Sequence, residues 1–194
     1  MWQAEYRLYL YPTDSNKKIS QKRLESALQE IEFIGDLLNA ESDCDEDYRY
    51  KVGEEFLSLI CFMGCSPNIE MEPQEDSPFC YVEISSETNA MRLVAGDNLK
   101  KINCPHCKKP QLALANKLLN SDAEALFSQH CTVCKELIDP SKINWRKSAF
   151  VASSWVLLGN IYESEAVPDE KLLLALEQAS ACEWRYAYVR CKAT

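Results

Sequence analysis

Polar and apolar side chains alternate through WQAEYRLYLY near the start of the chain, and aromatic residues are frequent there, which predicts a half-buried strand. A turn is expected over Pro12–Asn16. The period then changes. From about Ser20 to Asn39, Leu24, Ala27, Leu28, Ile31, Ile34 and Leu38 fall on one face at helical spacing, with Ser20 as N-cap. EEFLSLICFMG reads as a strand buried on both faces. FCYVEIS reads as the next strand, and AMRLVAG as a short one pairing with it. ESDCDEDY and GCSPNIEMEPQEDSP carry the acidic and Pro content of solvated loops, and the first lacks the Gly and terminal Glu spacing of a calcium loop. Further on, AFVASSWVLLGNIY is strand-like. ESEAVP leads into a second helix, with Pro168 in its first turn and Leu172, Leu173, Leu176 and Ala179 as its stripe. EWRYAYVRC closes the chain as a strand.

The order is β-α-β-β, a cysteine-bearing segment, then β-α-β. Two β-α-β halves predict an α+β fold, specifically a ferredoxin-like β-α-β-β-α-β antiparallel sandwich with helices on one face. The expected organisation is a discontinuous body, residues 1–99 and 148–194, carrying residues 100–147 as an insert. A chain of 194 residues with 46% apolar content can bury a proper core. The N-terminus has no signal-peptide pattern, and the longest apolar run, FLSLICFMGC, is too short to span a bilayer. Together with unpaired cysteine chemistry, this leads us to expect a cytoplasmic protein.

Charge separates the insert from the body. Residues 1–99 hold 8 basic and 20 acidic side chains, residues 100–147 hold 9 and 4, and residues 148–194 hold 4 and 6. The segment carrying the cysteines is thus a basic island in a chain of formal charge −9. Four thiolates on a divalent cation would lower its formal charge by two.

That segment holds NCPHCKKPQ and QHCTVCKEL. Cys104 and Cys107 form one C-x-x-C, Cys131 and Cys134 a second, with 23 residues between them. Each pair lets two sulfurs reach one ion at about 2.3 Å, and four soft thiolates suit a tetrahedral Zn²⁺. On CPHC and CTVC the segment resembles the zinc-ribbon family over roughly residues 100–140. The resemblance implies one metal site, with zinc as default and rubredoxin-like iron as the alternative, and it implies no activity. Four Cys fill the coordination sphere and leave no position for a hydrolytic water, so a structural role is expected. His106 and His130, the only histidines, are candidates to hydrogen-bond around the sulfurs. Cys61, Cys65 and Cys80 sit in or beside apolar runs and read as small buried hydrophobes.

No pattern requires catalysis. Both histidines belong to the cysteine segment, and no phosphate-binding glycine loop or H-E-x-x-H is present. Glu163 and Glu165 flank a helix start, where the dipole already accounts for them. The expectation is a non-enzymatic zinc-binding protein-interaction module, with a protein partner or a second copy bound. The candidate surfaces are Lys108, Lys109, Trp145, Arg146 and Lys147 on the insert, and Trp184, Tyr186 and Tyr188 on one face of the last strand, a face read first as core or as covered by the ribbon or by a protein partner. A β-α-β-β-α-β sheet resembles an RNA-recognition module, but the RNP1 pattern is missing and the acidic body repels phosphate. A nucleic-acid-associated module using the basic segment is therefore the second reading, and a metal-dependent redox protein the third.

Overall fold

The computed structural model describes residues 6–38, 48–63, 69–72, 78–85, 90–99, 101–111, 127–163 and 165–191. These form a mixed α+β structure. Its elements are β1 (Tyr6–Pro12), α1 (Gln21–Glu30), β2 (Ile34–Leu37), β3 (Tyr48–Val52), β4 (Ile60–Phe62), β5 (Tyr81–Ile84), β6 (Arg92–Ala95), β7 (Ala149–Ala152), β8 (Val156–Gly159), β9 (Ala166–Pro168), α2 (Glu170–Ser180) and β10 (Trp184–Arg190). Single 3-10 turns lie at Phe56–Ser58 and Pro140–Lys142.

Six strands make one antiparallel sheet in the order β10-β1-β8-β5-β3-β2. The alternation read in the first and last strands is what pairs them. Leu8 lies opposite Tyr188, and Tyr9 opposite Ala187, along a seven-residue ladder. One face of the sheet packs Leu8, Leu10, Val82, Ile84, Val156 and Leu158 against Leu24 and Leu28 of α1 and Leu172 and Leu176 of α2. Both helices therefore cover the same face, each through an apolar stripe at i, i+4. The opposite face buries Tyr9, Tyr81, Leu157, Ala187 and Val189 beneath Phe150 and Ala152 of β7.

Strands β6 and β7 form a separate antiparallel pair whose two sides do different work. Phe150, Ala152 and Val94 face the large sheet, while Leu93, Ala95, Ala149 and Val151 face a third core containing Cys104 and Cys131. Period-2 side-chain alternation makes this possible. The layers thus run helices, sheet, two-stranded pair, cysteine ribbon. At Gly96, where the chain leaves β6, a Cβ would collide with the Arg190 carbonyl, so only glycine lets the chain pass this close to β10.

Several expectations from the pattern are corrected. The first helix ends at Glu30, not near Asn39. Glu32 adopts φ 53, Phe33 N–H donates to the Leu28 carbonyl (2.9 Å) and Glu32 N–H to that of Gln29 (3.0 Å). This is a Schellman closure with Glu where Gly is usual, so nothing in the residue types announced it. Ile34 then begins β2. EEFLSLICFMG is not one doubly buried strand: a 3-10 turn precedes the short β4, and Leu57, Cys61 and Met63 are exposed. Strand β6 pairs with β7, not with β5. AFVASSWVLLGNIY splits into β7 and β8 in different sheets. Ser153 N–H bonds the Ser15 carbonyl (3.0 Å), and Ser154 Oγ accepts from Ile19 N–H (3.0 Å), which fixes the bend. Pro168 closes β9 rather than opening α2, whose N-cap is Asp169, accepting from Lys171 N–H at 2.9 Å. Most of ESDCDEDY, together with Cys65 and Lys100, lies outside the described residues. No helix among the described residues is long and apolar enough to cross a membrane.

Candidate metal centre

The two C-x-x-C loops are built alike, residue for residue, at an offset of 27 positions. Cys104 N–H donates to the Lys109 carbonyl (2.9 Å), and Lys108 N–H to that of Cys104 (3.0 Å). In the second loop Cys131 N–H donates to the Glu136 carbonyl (2.9 Å), and Lys135 N–H to that of Cys131 (3.1 Å). Short β-bridges, Asn103 with Pro110 and His130 with Leu137, close the base of each loop. The tight reversal needs a left-handed residue, and Lys108 (φ 60) and Lys135 (φ 65) fill that position. Each then turns its ammonium back onto its own loop, Lys108 Nζ to the Pro105 carbonyl (2.6 Å) and Lys135 Nζ to that of Thr132 (2.9 Å). These bonds satisfy loop carbonyls that the knuckle leaves without a backbone partner.

The loops bring all four sulfurs within 4.8 Å of one another. Cys104 Sγ lies 3.8 Å from Cys134 Sγ, and Cys107 Sγ 3.7 Å from Cys131 Sγ. A tetrahedral ion with metal–sulfur bonds of about 2.3 Å requires sulfurs about 3.8 Å apart. A disulfide would need about 2.05 Å. The donor set therefore fits one metal ion, held by Cys104, Cys107, Cys131 and Cys134.

Backbone N–H groups point at the sulfurs: His106 N to Cys104 Sγ, and Val133 N and Cys134 N to Cys131 Sγ, each at 3.4 Å. Such bonds favour thiolate over thiol. Burial works against charge on Cys131, but the Cys134 and Val133 N–H groups and the thiols of Cys134 and Cys104 hold it down to about 6. The Glu136 N–H favours a thiolate at Cys134, yet burial and the three neighbouring thiols push it up to about 11. Cys131 therefore gives up its proton more readily than Cys134, and a bound cation would favour the thiolate form of the ligands.

Among the other expected site residues, His106 is exposed, and its Nε2 lies 3.2 Å from the Leu137 carbonyl on the second loop. It links the two knuckles through its ring and touches sulfur only through its backbone. His130 is exposed and joins the site through its backbone bridge. Lys109, Arg146 and Lys147 are exposed. Lys147 stands over the Tyr186 ring, 3.9 Å from its centroid, and donates to its hydroxyl. Trp145 is only 7% exposed; its indole N–H donates to the Pro140 carbonyl (3.0 Å) and its ring fills the core under the sulfurs. It is a floor of the ribbon rather than a surface.

On the aromatic face of the last strand, the core alternative is the one found for Trp184 and Tyr188, which are not available as a surface. Trp184 and Tyr188 are 3% and 6% exposed and sit in the core beneath the helices, while Tyr186 is half-buried. Tyr9 and Tyr81 lie on the opposite face of the sheet, because the ladder pairs Tyr9 with Ala187. The aromatics are thus divided between two covered faces and form no continuous stacking platform. Glu163 and Glu165 are exposed in the connection between β8 and β9. Cys80 is buried, which pushes its thiol up to about 12.

Gln111 was not anticipated. It is 2% exposed, and its Oε1 accepts from both Thr132 N–H (3.2 Å) and Thr132 Oγ (3.1 Å). Its Nε2 donates to the Pro110 carbonyl at 3.0 Å. One amide from the first knuckle therefore clamps the second. Nothing local in CKKPQL marks this Gln, because its partner lies 21 residues away. Compared with known proteins, the chain matches no family model, no curated protein and no solved structure.

Proposed function

We propose that the chain is a non-enzymatic protein-interaction module whose ribbon is a structural zinc site. The observation that carries this is the four-sulfur cluster. Four thiolates occupy every position of a tetrahedral ion, leaving none for substrate or water. Zinc is the reading for the ion; iron uses the same ligands and would announce itself by visible absorbance, the mark a redox role would also need. Thiolate ligands of this kind persist in a reducing compartment, which supports a cytoplasmic protein and is checked by cell fractionation. We read the body as an elaborated ferredoxin-like sandwich: β10, β1 and β8 are neighbours and both helices share one face, with β5 and β3 intercalated before β2. Topology in a crystal structure checks that reading, and β2 lying beside β8 without β5 between them would contradict this arrangement.

With Trp184 and Tyr188 inside the core, the ribbon supplies the partner surface. Val133 and Leu137 on the second knuckle are 57% and 51% exposed, two large apolar groups that a partner would remove from water. The test combines metal analysis with affinity capture on one sample. We expect about one zinc per chain and a specific partner that the V133S/L137S double variant no longer captures while keeping its metal. A metal-free but folded ribbon would sink the structural-zinc half. A partner that the double variant still holds would sink the ribbon surface. The second reading, association of the basic segment with nucleic acid, draws on the exposure of Lys101, Lys109, Lys142 and Arg146. An electrophoretic shift titrated with salt checks it, since phosphate contacts impose a steep salt dependence.

A further inference from the structure

A cleft of about 1030 Å3 opens between the ribbon's return segment and the edge of the sheet at β1 and β10. Lys142, Arg146 and Lys147 line it from the ribbon side, Arg185 from β10, and Tyr11 and Tyr186 from the sheet. Among the described residues no carboxylate lines it, although the chain carries a formal charge of −9. Lys142 and Arg185 do have acidic neighbours, Asp139 and Glu183, each at 3.5 Å. Those pairs are solvent-exposed and local, and exposed pairs of this kind are weak enough for a phosphate to displace.

A second, independent feature lies at the same lip. Arg146 (φ 53) and Lys147 (φ 60) are consecutive left-handed residues, and Ser148 N–H donates to the Trp145 carbonyl at 3.0 Å. Positive φ at both central positions with this bond is the mark of a type I′ turn, where Asn-Gly is the unstrained choice. Here two long side chains accept the strain instead. The surroundings over-determine the turn. Arg146 N–H donates to Asn144 Oδ1 (3.0 Å), Ser148 Oγ to the Trp145 carbonyl (2.6 Å), and Tyr188 N–H to the Lys147 carbonyl (2.8 Å). Strain over-determined by its surroundings clusters at ligand clamps, and this turn lies at the mouth of a cleft. The backbone would be better served by Asn-Gly; the cleft is better served by two cations.

We infer that this cleft is a binding site for a phosphate-bearing ligand of the nucleotide class, with the Trp145–Ser148 turn presenting Arg146 and Lys147 to the phosphate. A guanidinium matches phosphate oxygens two at a time. Half-buried Tyr11 and Tyr186 line the cleft from opposite faces of the sheet, Tyr11 stacked on Phe150 (4.3 Å between centroids) and Tyr186 beneath the Lys147 ammonium. A base would therefore use the remaining ring surface, and cations beside aromatic rings are the combination that holds single nucleotides and single strands. The volume suits one such ligand. A peptide of carboxylates would use the charge and leave the rings unused.

The test uses the full metal-loaded chain and follows tryptophan fluorescence and calorimetry at low salt. The probes are AMP, inorganic phosphate, a short single-stranded oligonucleotide and an oligoglutamate peptide. AMP or the oligonucleotide should bind more tightly than phosphate or the peptide, and whichever of the two is tighter identifies the source. The R146N/K147G variant should weaken that binding about tenfold or more through loss of the charge-assisted contacts, while its Tm stays level or rises. Arg185→Gln, on the opposite wall, should also weaken it. No binding of either nucleotide probe, oligoglutamate binding as tightly as they do, or unchanged affinity in R146N/K147G would overturn the proposal. A fall in Tm on forming the Asn-Gly turn would also overturn it, because the two cations would then be serving the turn rather than the cleft. Metal content is unaffected by these changes, so this outcome is separable from that of the zinc reading.

Discussion

Gln111 shows how much one buried amide can organise. Its carbonyl oxygen takes both donors of Thr132 and its amide nitrogen serves the Pro110 carbonyl, so both knuckles depend on it. Replacing it with Ala leaves the Thr132 N–H without its acceptor, at a cost of about 1–3 kcal/mol. Gln111→Ala should therefore release metal to a chromogenic chelator faster than wild type, with all four sulfurs still present. Tyr9 supplies the pH prediction. Burial in the core beneath β7, only partly offset by Arg7, pushes its hydroxyl up to about 12 from the ordinary 10.0. Its folded value is raised, so its contribution is complete below pH 10 and is lost as pH climbs toward 12. Two units at 1.36 kcal/mol each set the loss at about 2–3 kcal/mol. Urea titrations between pH 9 and 12 should show stability falling through that window, and Tyr9→Phe should flatten part of the fall.

At the level of elements, the ends of the helices carry the information that sequence patterns obscured. Ile34 and Leu38 fit the α1 stripe by spacing, yet Ile34 begins a strand and Leu38 packs on the other side of the sheet. The switch happens at Glu32, whose left-handed backbone closes α1. A non-glycine residue there carries about 1–2 kcal/mol of strain, against which glycine adds chain entropy worth about 0.5–1 kcal/mol. Glu32→Gly should thus stabilise by up to about 1 kcal/mol, and Glu32→Val should destabilise, both read from denaturant midpoints. The two-stranded β6–β7 pair is the other decisive element. Its alternating sides let one strand serve two cores, Phe150 toward the sheet and Ala149 and Val151 toward the ribbon.

For the whole molecule, the division into cores predicts how metal loss is felt. The ribbon core, with Cys104, Cys131, Ile138, Ile143 and Trp145, is separate from the core that joins both helices to the sheet. Structural metal contributes on the order of 10 kcal/mol to folding such a ribbon. Chelation should remove hydrogen-exchange protection from residues 101–111 and 127–148 while β1, β8 and β10 keep theirs. Global exchange on chelation would mean that the layers fold as one unit.

The sequence by itself determined the features that depend on near neighbours. Alternation over seven residues marks β1 and β10, helical spacing marks α1 and α2, and two residues between cysteines aim two sulfurs at one point. What the tertiary structure decided is everything that requires distant partners: which face each aromatic occupies, that Trp145 is floor rather than surface, and that Gln111 bridges the knuckles. It also decided where non-glycine residues turn left-handed, at Glu32, Lys108, Lys135, Arg146, Lys147, Asn160 and Ala181. Residue type only weakly predicts such a backbone state. It is held by hydrogen bonds such as Tyr188 N–H to the Lys147 carbonyl, formed between positions that no local pattern connects.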